Sequence, residues 1–239
     1  MHSPFVYDMI RSVLNDRTRY PEYEHIEAIR AALKKDPTML MVQDLGAGSV
    51  HGTQSQRSVA NIARHAAKPP RYAQLLFRLA RYYHPDTILE LGTSLGISSR
   101  YLALGNPAAK MITLEGVPSI AAYTGAAFQK ESLPVALREG NFDDTLAGAL
   151  KELGQVGMCF VDGNHRLEPT LRYFEQILPH TSETSIIIFD DIHWSAEMEQ
   201  AWAQICAHDA VRCSIDLFFI GIVIFRPVFR EKQHFSVRF

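Results

Sequence analysis

One run of residues constrains this chain more than any other: Ile88-Leu89-Glu90-Leu91-Gly92-Thr93-Ser94-Leu95-Gly96. An apolar strand ends in a carboxylate and a glycine turn, and Ile97 to Leu104 can continue as a helix. About twenty residues further on, in the spacing such units use, Met111-Ile112-Thr113-Leu114 ends in Glu115-Gly116. Strand, glycine turn, helix, strand and acid is the order of a nucleoside-binding α/β half. The helix N-terminus and the N–H groups of the turn face the ligand, and the second acid suits a ribose diol. A dinucleotide site favours G-x-G-x-x-G, whose second glycine lets the backbone approach a pyrophosphate. Ser94 stands at that position, and the pattern here is E-x-G-x-x-x-G. A nucleoside ligand without a pyrophosphate fits it better.

From residue 71 onward, strands and helices alternate. Strands are predicted at 87–91, 111–115, 135–139, 156–161 and 184–189, with helices near 97–104, 118–130, 144–153, 168–178 and 195–207. Helices of this size between strands imply right-handed crossovers and a mostly parallel sheet. Val211 to Phe218 and Gly221 to Phe225 lie too close together for a crossover, so they predict an antiparallel hairpin at the sheet edge. The expected fold is α/β, a Rossmann-like, doubly wound, mostly parallel sheet of seven strands with that hairpin strand. Residues 1–69 are expected to be a helical extension, with helices over 4–15, 22–35 and 57–67, and residues 70–239 the main domain. The segment Asp44-Leu45-Gly46-Ala47-Gly48 mimics a second glycine motif. No acid-ended strand follows it at the right distance, so it reads as a loop, and Gly46–Gly52 as a lid without a strand partner.

Composition excludes several classes. The 239 residues are 47% hydrophobic and carry a formal net charge of −2. That balance argues against a general nucleic-acid binder, which needs clustered positive charge. No apolar run is long enough to span a bilayer, and the start, Met1-His2-Ser3-Pro4-Phe5, has neither the basic nor the apolar region of a signal peptide. Three cysteines form no disulfide framework and no metal spacing. A reduced, cytoplasmic setting is the expectation.

In open α/β sheets the ligand sits outside the carboxyl ends of the strands. Five predicted strands end in Glu90, Glu115, Gly140-Asn141-Phe142-Asp143, Asp162 and Asp190-Asp191. Any one of these is commonly a helix cap or turn residue; five at successive turns point to a ligand crevice. Asp162, Asp190 and Asp191 offer hard oxygen donors that suit Mg²⁺ or a similar cation. Successive residues of an extended strand point to opposite faces, so Asp190 and Asp191 can share a cation only if the chain turns between them. His165 and His193, on the two turns that follow, are candidate bases, although a lone histidine is more often a structural residue.

At these residues the chain resembles the class I S-adenosylmethionine (SAM)-dependent methyltransferases, and the acids after the fourth and fifth strands are similar to those of the catechol- and macrocin-type O-methyltransferases. The resemblance spans roughly residues 70–226. It implies SAM as cofactor, with Glu90, Gly92, Thr93, Ser94, Gly96, Ser98, Glu115, Gly116, Asn141, Phe142 and Asp162 around it. It further implies a metal held by Asp162, Asp190 and Asp191, and catalytic roles for Asp162, His165 and His193. Macrocin-type enzymes tend to carry D-G-D where this chain has Asp162-Gly163-Asn164. An amide does not take up a proton near neutral pH, so Asn164 is no base. The expected activity is O-methylation of a small hydroxyl-bearing molecule. A metal-free methyltransferase acting on nitrogen, RNA or protein, a nicotinamide-binding Rossmann protein, and a homodimer all stay open.

Overall fold

The computed structural model describes residues 3–43, 54–65 and 68–239. The chain opens with α1 (Pro4–Met9), started by Ser3, whose hydroxyl accepts from the Val6 N–H, and by a proline at its first position. A π-helical turn, Ile10–Leu14, continues it. Helix α2 (Pro21–Leu33) follows, with Glu22 and Glu24 at its positive end. Then come β1 (Met39–Gln43), β2 (Gln54–Ser58) and the short α3 (Val59–His65).

Strands β1 and β2 pair antiparallel, from Met39 opposite Ser58 to Gln43 opposite Gln54. The segments on either side of the glycine-bearing stretch are therefore paired strands, and the helix expected over 57–67 begins only at Val59. The alternation that marks strands was masked because a polar strand, Gln54-Ser55-Gln56-Arg57-Ser58, carries no apolar period. The Gly46–Gly52 lid lies outside the described residues.

Helix α4 (Pro70–Tyr83) leads into β3 (Thr87–Leu91), α5 (Ile97–Gly105), β4 (Lys110–Glu115), α6 (Pro118–Lys130), β5 (Val135–Glu139), α7 (Phe142–Leu153), β6 (Met158–Val161), α8 (Leu167–Ile177), β7 (Ile186–Asp190) and α9 (Ala196–Ala207). Strands β8 (Cys213–Asp216) and β9 (Ile220–Ile224) form the expected antiparallel hairpin, and β9 joins β7 antiparallel. An eighth strand, β10 (Gln233–Ser236), runs parallel to β8 at the sheet edge. The basic residues Arg226, Arg230, Lys232 and Arg238 read in the sequence as a solvated end, yet the stretch between Lys232 and Arg238 contributes this strand. The sheet order is β10-β8-β9-β7-β6-β3-β4-β5.

Alternate residues of each central strand feed two cores, as the period of two requires. Ile88, Met111, Phe160, Ile186 and Ile188 face α1, α4 and α5, with Val6, Met9, Val13, Leu75, Leu76 and Leu79. Leu89, Leu91, Ile112, Val161, Ile187 and Phe189 face α7, α8 and α9. A third core joins Ile26 and Leu33 of α2 and Val59 of α3 to Phe77 and Tyr101. The N-terminal helices thus share their cores with the sheet unit.

The direction of winding reverses beside β3: β4 and β5 lie on one side of it, β6 and β7 on the other. A crevice therefore opens between the carboxyl ends of β3 and β6, the expected ligand position for such a sheet. Its rear is braced by Arg100, a side chain only 2% exposed. Arg100 donates to the carbonyls of Leu95 (3.0 Å) and Gly96 (2.8 Å) and forks onto Glu131 at 2.8 and 2.6 Å. Removing one partner of a buried, hydrogen-bonded pair leaves a stranded charge. Glu131 is partly exposed, so Arg100→Met is expected to lose stability near the low end of ~3–5 kcal/mol, read from the shift of a denaturant midpoint.

Candidate functional site

The glycine turn is shaped by contact with β6. Gly92 has φ +103°, and a Cβ there would lie 1.9 Å from the carbonyl oxygen of Asp162. Leu91 accepts from the Asp162 N–H at 2.8 Å, which locks the two strand ends together. Gly96 has φ +72°, and a Cβ would meet the Phe128 ring at 2.5 Å. Ser94, at the position of a dinucleotide motif's second glycine, also takes a positive φ, +47°. It is held there from both sides: its N–H donates to Glu115 Oε2 (2.7 Å) and its carbonyl accepts from the Thr124 hydroxyl (2.8 Å).

Glu115 ends β4, is 7% exposed and opens onto the main cavity. Its second oxygen accepts from the Val117 N–H at 2.9 Å. Burial raises its pKa, opposed by the N–H groups of Val117, Ser94 and Gly116. The carboxylate is thus fixed in place with lone pairs left for a ligand. Gly92, Ser94, Gly116, Asn141, Phe142 and Asp162 line the same cavity, of about 520 Å³. Thr93 and Ser98 line a smaller recess beneath the turn. Asn141 also caps α7, accepting from the Asp143 N–H at 3.2 Å, and Phe142 stands edge-on to Tyr173.

Glu90 is placed differently. It shares the face of Ile88 and is fully buried behind the turn, where Thr113 Oγ1 (2.6 Å) and the Ser99 hydroxyl donate to one oxygen. Its other oxygen has no hydrogen-bond partner among the described residues. It lines neither the cavity nor the recess. Burial pushes its pKa up to about 7, opposed by the hydroxyls of Ser98, Ser99 and Thr113 around it.

The acids of β6 and β7 converge. Asp190 is 1% exposed at the end of β7. Asp191 has φ +52°, so the chain does turn between the two aspartates. Ligand atoms of Asp162, His165 and Asp190 lie within 4.8 Å of one another. His165 Nε2 is 3.5 Å from Asp162 Oδ1, and both residues line the cavity. Burial alone would raise the Asp162 pKa, but the charge of Lys68 and the hydrogen bond to His165 hold it below the usual range. Asn164 donates to the Tyr173 hydroxyl at 3.0 Å, a structural bond.

His193 is not brought to the cavity. Its ring is committed to Asp216 (2.9 Å) and Glu199 (3.2 Å), and it stacks on Phe218. Burial alone would lower its pKa; the two carboxylates outweigh that and raise it.

Lys68 was missed by sequence reasoning. Its Nζ contacts Asp190 Oδ2 directly and lies 3.5 Å from Asp191 Oδ1 and 3.9 Å from Asp162 Oδ1. The only signal in the sequence was its place immediately before Pro69-Pro70, which marked a boundary and nothing chemical. Four further residues were also missed. Arg57, Asn61 and His65, at the end of β2 and along α3 at spacings of four residues, line the cavity, and Trp194, which is 72% exposed, lines it too. The donor set fits a hard divalent cation, since the carboxylates of Asp162 and Asp190 and the His165 imidazole come within 4.8 Å of one another, and Asp190 Oδ1 has no hydrogen-bond partner among the described residues. The lysine ammonium stands beside these carboxylates.

The raised pKa of Glu90 has a consequence for stability. The native state binds this proton more tightly than an unfolded chain, whose carboxyl titrates near 4.5. The stabilisation is full below that value and is lost as pH rises through about 7. Glu90→Gln keeps the shape and cannot ionise. It is expected to flatten the fall in melting temperature between about pH 5 and about pH 8, and a variant as pH-sensitive as the wild type would contradict this.

Residues 89–192 match the family model described as a methyltransferase domain. No curated protein matches the chain. Among solved structures, the SAH-bound methyltransferase PaMTH1 of Podospora anserina superimposes with a TM-score of 0.64 at 18% identity, covering 95% of this chain and 97% of that one. An O-methyltransferase from Bacillus cereus in complex with SAH gives 0.60 at 18%, covering 92% and 97%. TomG from Streptomyces achromogenes, an O-methyltransferase involved in tomaymycin synthesis, in complex with SAM, gives 0.58 at 21%, covering 67% and 82%. At these identities the likeness is one of fold: a Rossmann-like methyltransferase fold along most of the chain.

Proposed function

We propose that this methyltransferase-domain chain transfers a methyl group from SAM to a hydroxyl of a small molecule. One observation carries the reading. The fixed Glu115 carboxylate, the glycine turn and the acid cluster of Asp162 and Asp191 open onto one cavity. A nucleoside cofactor and an acceptor can therefore meet there. In this reading Glu115 accepts from the ribose hydroxyls, and Asn141 and Phe142 contact the base. Gly92, Ser94 and Gly96 let the backbone curve around the methionyl part, with Thr93, Ser98 and Glu90 forming the layer behind. The similar structures from Bacillus cereus and Streptomyces achromogenes are O-methyltransferases, which supports oxygen as the acceptor atom.

SAM supplies an electrophilic methyl on a sulfonium. The chain's contribution is to hold the acceptor oxygen in line with it, and alignment accounts for most of the acceleration in such displacements. The acceptor must also lose a proton. The His165–Asp162 pair, at the cavity wall, can take it directly or through water. The new O–C bond then forms as the C–S bond breaks, and its electrons pass to sulfur. Asp162, Asp190 and Asp191 would hold a divalent cation such as Mg²⁺, which supplies Lewis-acid stabilisation to a developing oxyanion. A second reading, metal-free transfer, is favoured by one specific observation, the Lys68 ammonium among these acids. We take residues 1–69 as an extension whose Arg57, Asn61 and His65 wall the acceptor side, and residues 70–239 as the methyltransferase domain.

Two charge-assisted hydrogen bonds are worth about 1.5–3 kcal/mol each. Glu115→Ala is therefore expected to weaken SAM binding by about tenfold or more, measured by calorimetry on protein whose melting temperature is checked in parallel. Wild-type affinity in a folded variant would remove Glu115 from the cofactor site.

A further inference from the structure

We propose that Lys68 is a built-in competitor for the cation seat: its ammonium stands among Asp162, Asp190 and Asp191 and offsets part of their charge in the resting protein, and a divalent ion enters only by displacing it. The inference rests on the reading of these acids as a cation site, and it adds what controls that site. Three observations support it.

The first is position. Lys68 Nζ touches Asp190 and lies within 4.0 Å of both other carboxylates, where an ion shared by all three would sit. Asp190 Oδ1, buried beside it, has no hydrogen-bond partner among the described residues. The ammonium therefore leaves part of the donor set unused, which a metal with more coordination positions would engage.

The second is anchorage. The carbonyl of Lys68 accepts from Arg30 Nη1 at 2.6 Å, and Arg30 is itself 3% exposed and held by Glu27 at 3.0 Å. Pro69 follows, which restricts the backbone of Lys68 to extended conformations. The root of the side chain is fixed while its four-carbon stem can swing. The third is electrostatic. Carboxylates crowded in a crevice repel one another, and they require a cation among them to offset that repulsion. A tethered ammonium meets that requirement at every metal concentration, at the cost of weaker metal binding.

The test uses full-length protein with Mg²⁺ and Mn²⁺ as probes, titrated calorimetrically into the wild type, Lys68→Met, Lys68→Arg and Lys68→Met combined with Asp190→Asn. Binding of SAH by each variant checks that the fold and the cofactor site are intact. Competition predicts that Lys68→Met binds Mn²⁺ at least about tenfold more tightly than the wild type. Lys68→Arg, which keeps the charge, should resemble the wild type, and adding Asp190→Asn should abolish the gain. The melting temperature of Lys68→Met should fall in chelator and recover with Mg²⁺. If Lys68→Met folds only with the ion present, that recovery is the same result. Equal affinity in the wild type and Lys68→Met, lost on Asp190→Asn, overturns the competition and leaves the metal site standing. No metal binding by any variant overturns both. If SAH also fails to bind, the methyltransferase reading is what has failed.

Discussion

The ends of β3 and β6 approach so closely that no side chain fits between them. A Cβ on Gly92 would sit 1.9 Å from the Asp162 carbonyl. Everything else in the site takes its position from that contact. It brings Asp162 to the edge of the glycine turn, and it places the turn's N–H groups where Glu115, one strand over, can receive that of Ser94. The parallel register of β6 with β7, Val161 opposite Phe189, then sets Asp190 and Asp191 beside Asp162. Arg100 holds the far side of the turn by its carbonyls, so the loop is fixed from front and back.

Close approach concentrates negative charge, and the protein offsets it in two ways. Behind the turn Glu90 is buried among hydroxyls with its pKa pushed up to about 7, so it holds its proton far more tightly than an exposed carboxyl. In front of it, the cluster of aspartates is met by Lys68. Neutralisation by proton and by tethered ammonium differ in what a ligand can change. The second solution depends on the N-terminal segment, because the backbone of Lys68 is anchored by Arg30 of α2. The helices of that segment share cores with the sheet.

Much of this was legible in the sequence, because local chemistry and fold agreed. The strand, turn, helix and acid pattern at 88–116 is realised in β3, α5 and β4, and the expected antiparallel hairpin is β8 and β9, with β10 rather than the hairpin at the sheet edge. The turn between Asp190 and Asp191, stated as a requirement, is present as a positive φ at Asp191. What escaped did so for physical reasons. Lys68 lies far in sequence from the acids it meets, and a single lysine before two prolines carries no periodic signal. Strand β2 is polar on both faces, and β10 follows a basic tail that reads as solvated. His193 stands on a ligand-facing turn in the sequence pattern. Two carboxylates, Asp216 from β8 and Glu199 in the first turn of α9, claim its ring instead.

The account stands on a nucleoside site built for a ligand without a pyrophosphate, with Ser94 where a dinucleotide motif has glycine. Calorimetric titration of the wild-type protein with SAH and, separately, with NAD tests this most directly. The account predicts a saturable, one-to-one heat for SAH and none for NAD at the same concentrations. Binding of NAD with no response to SAH would contradict it.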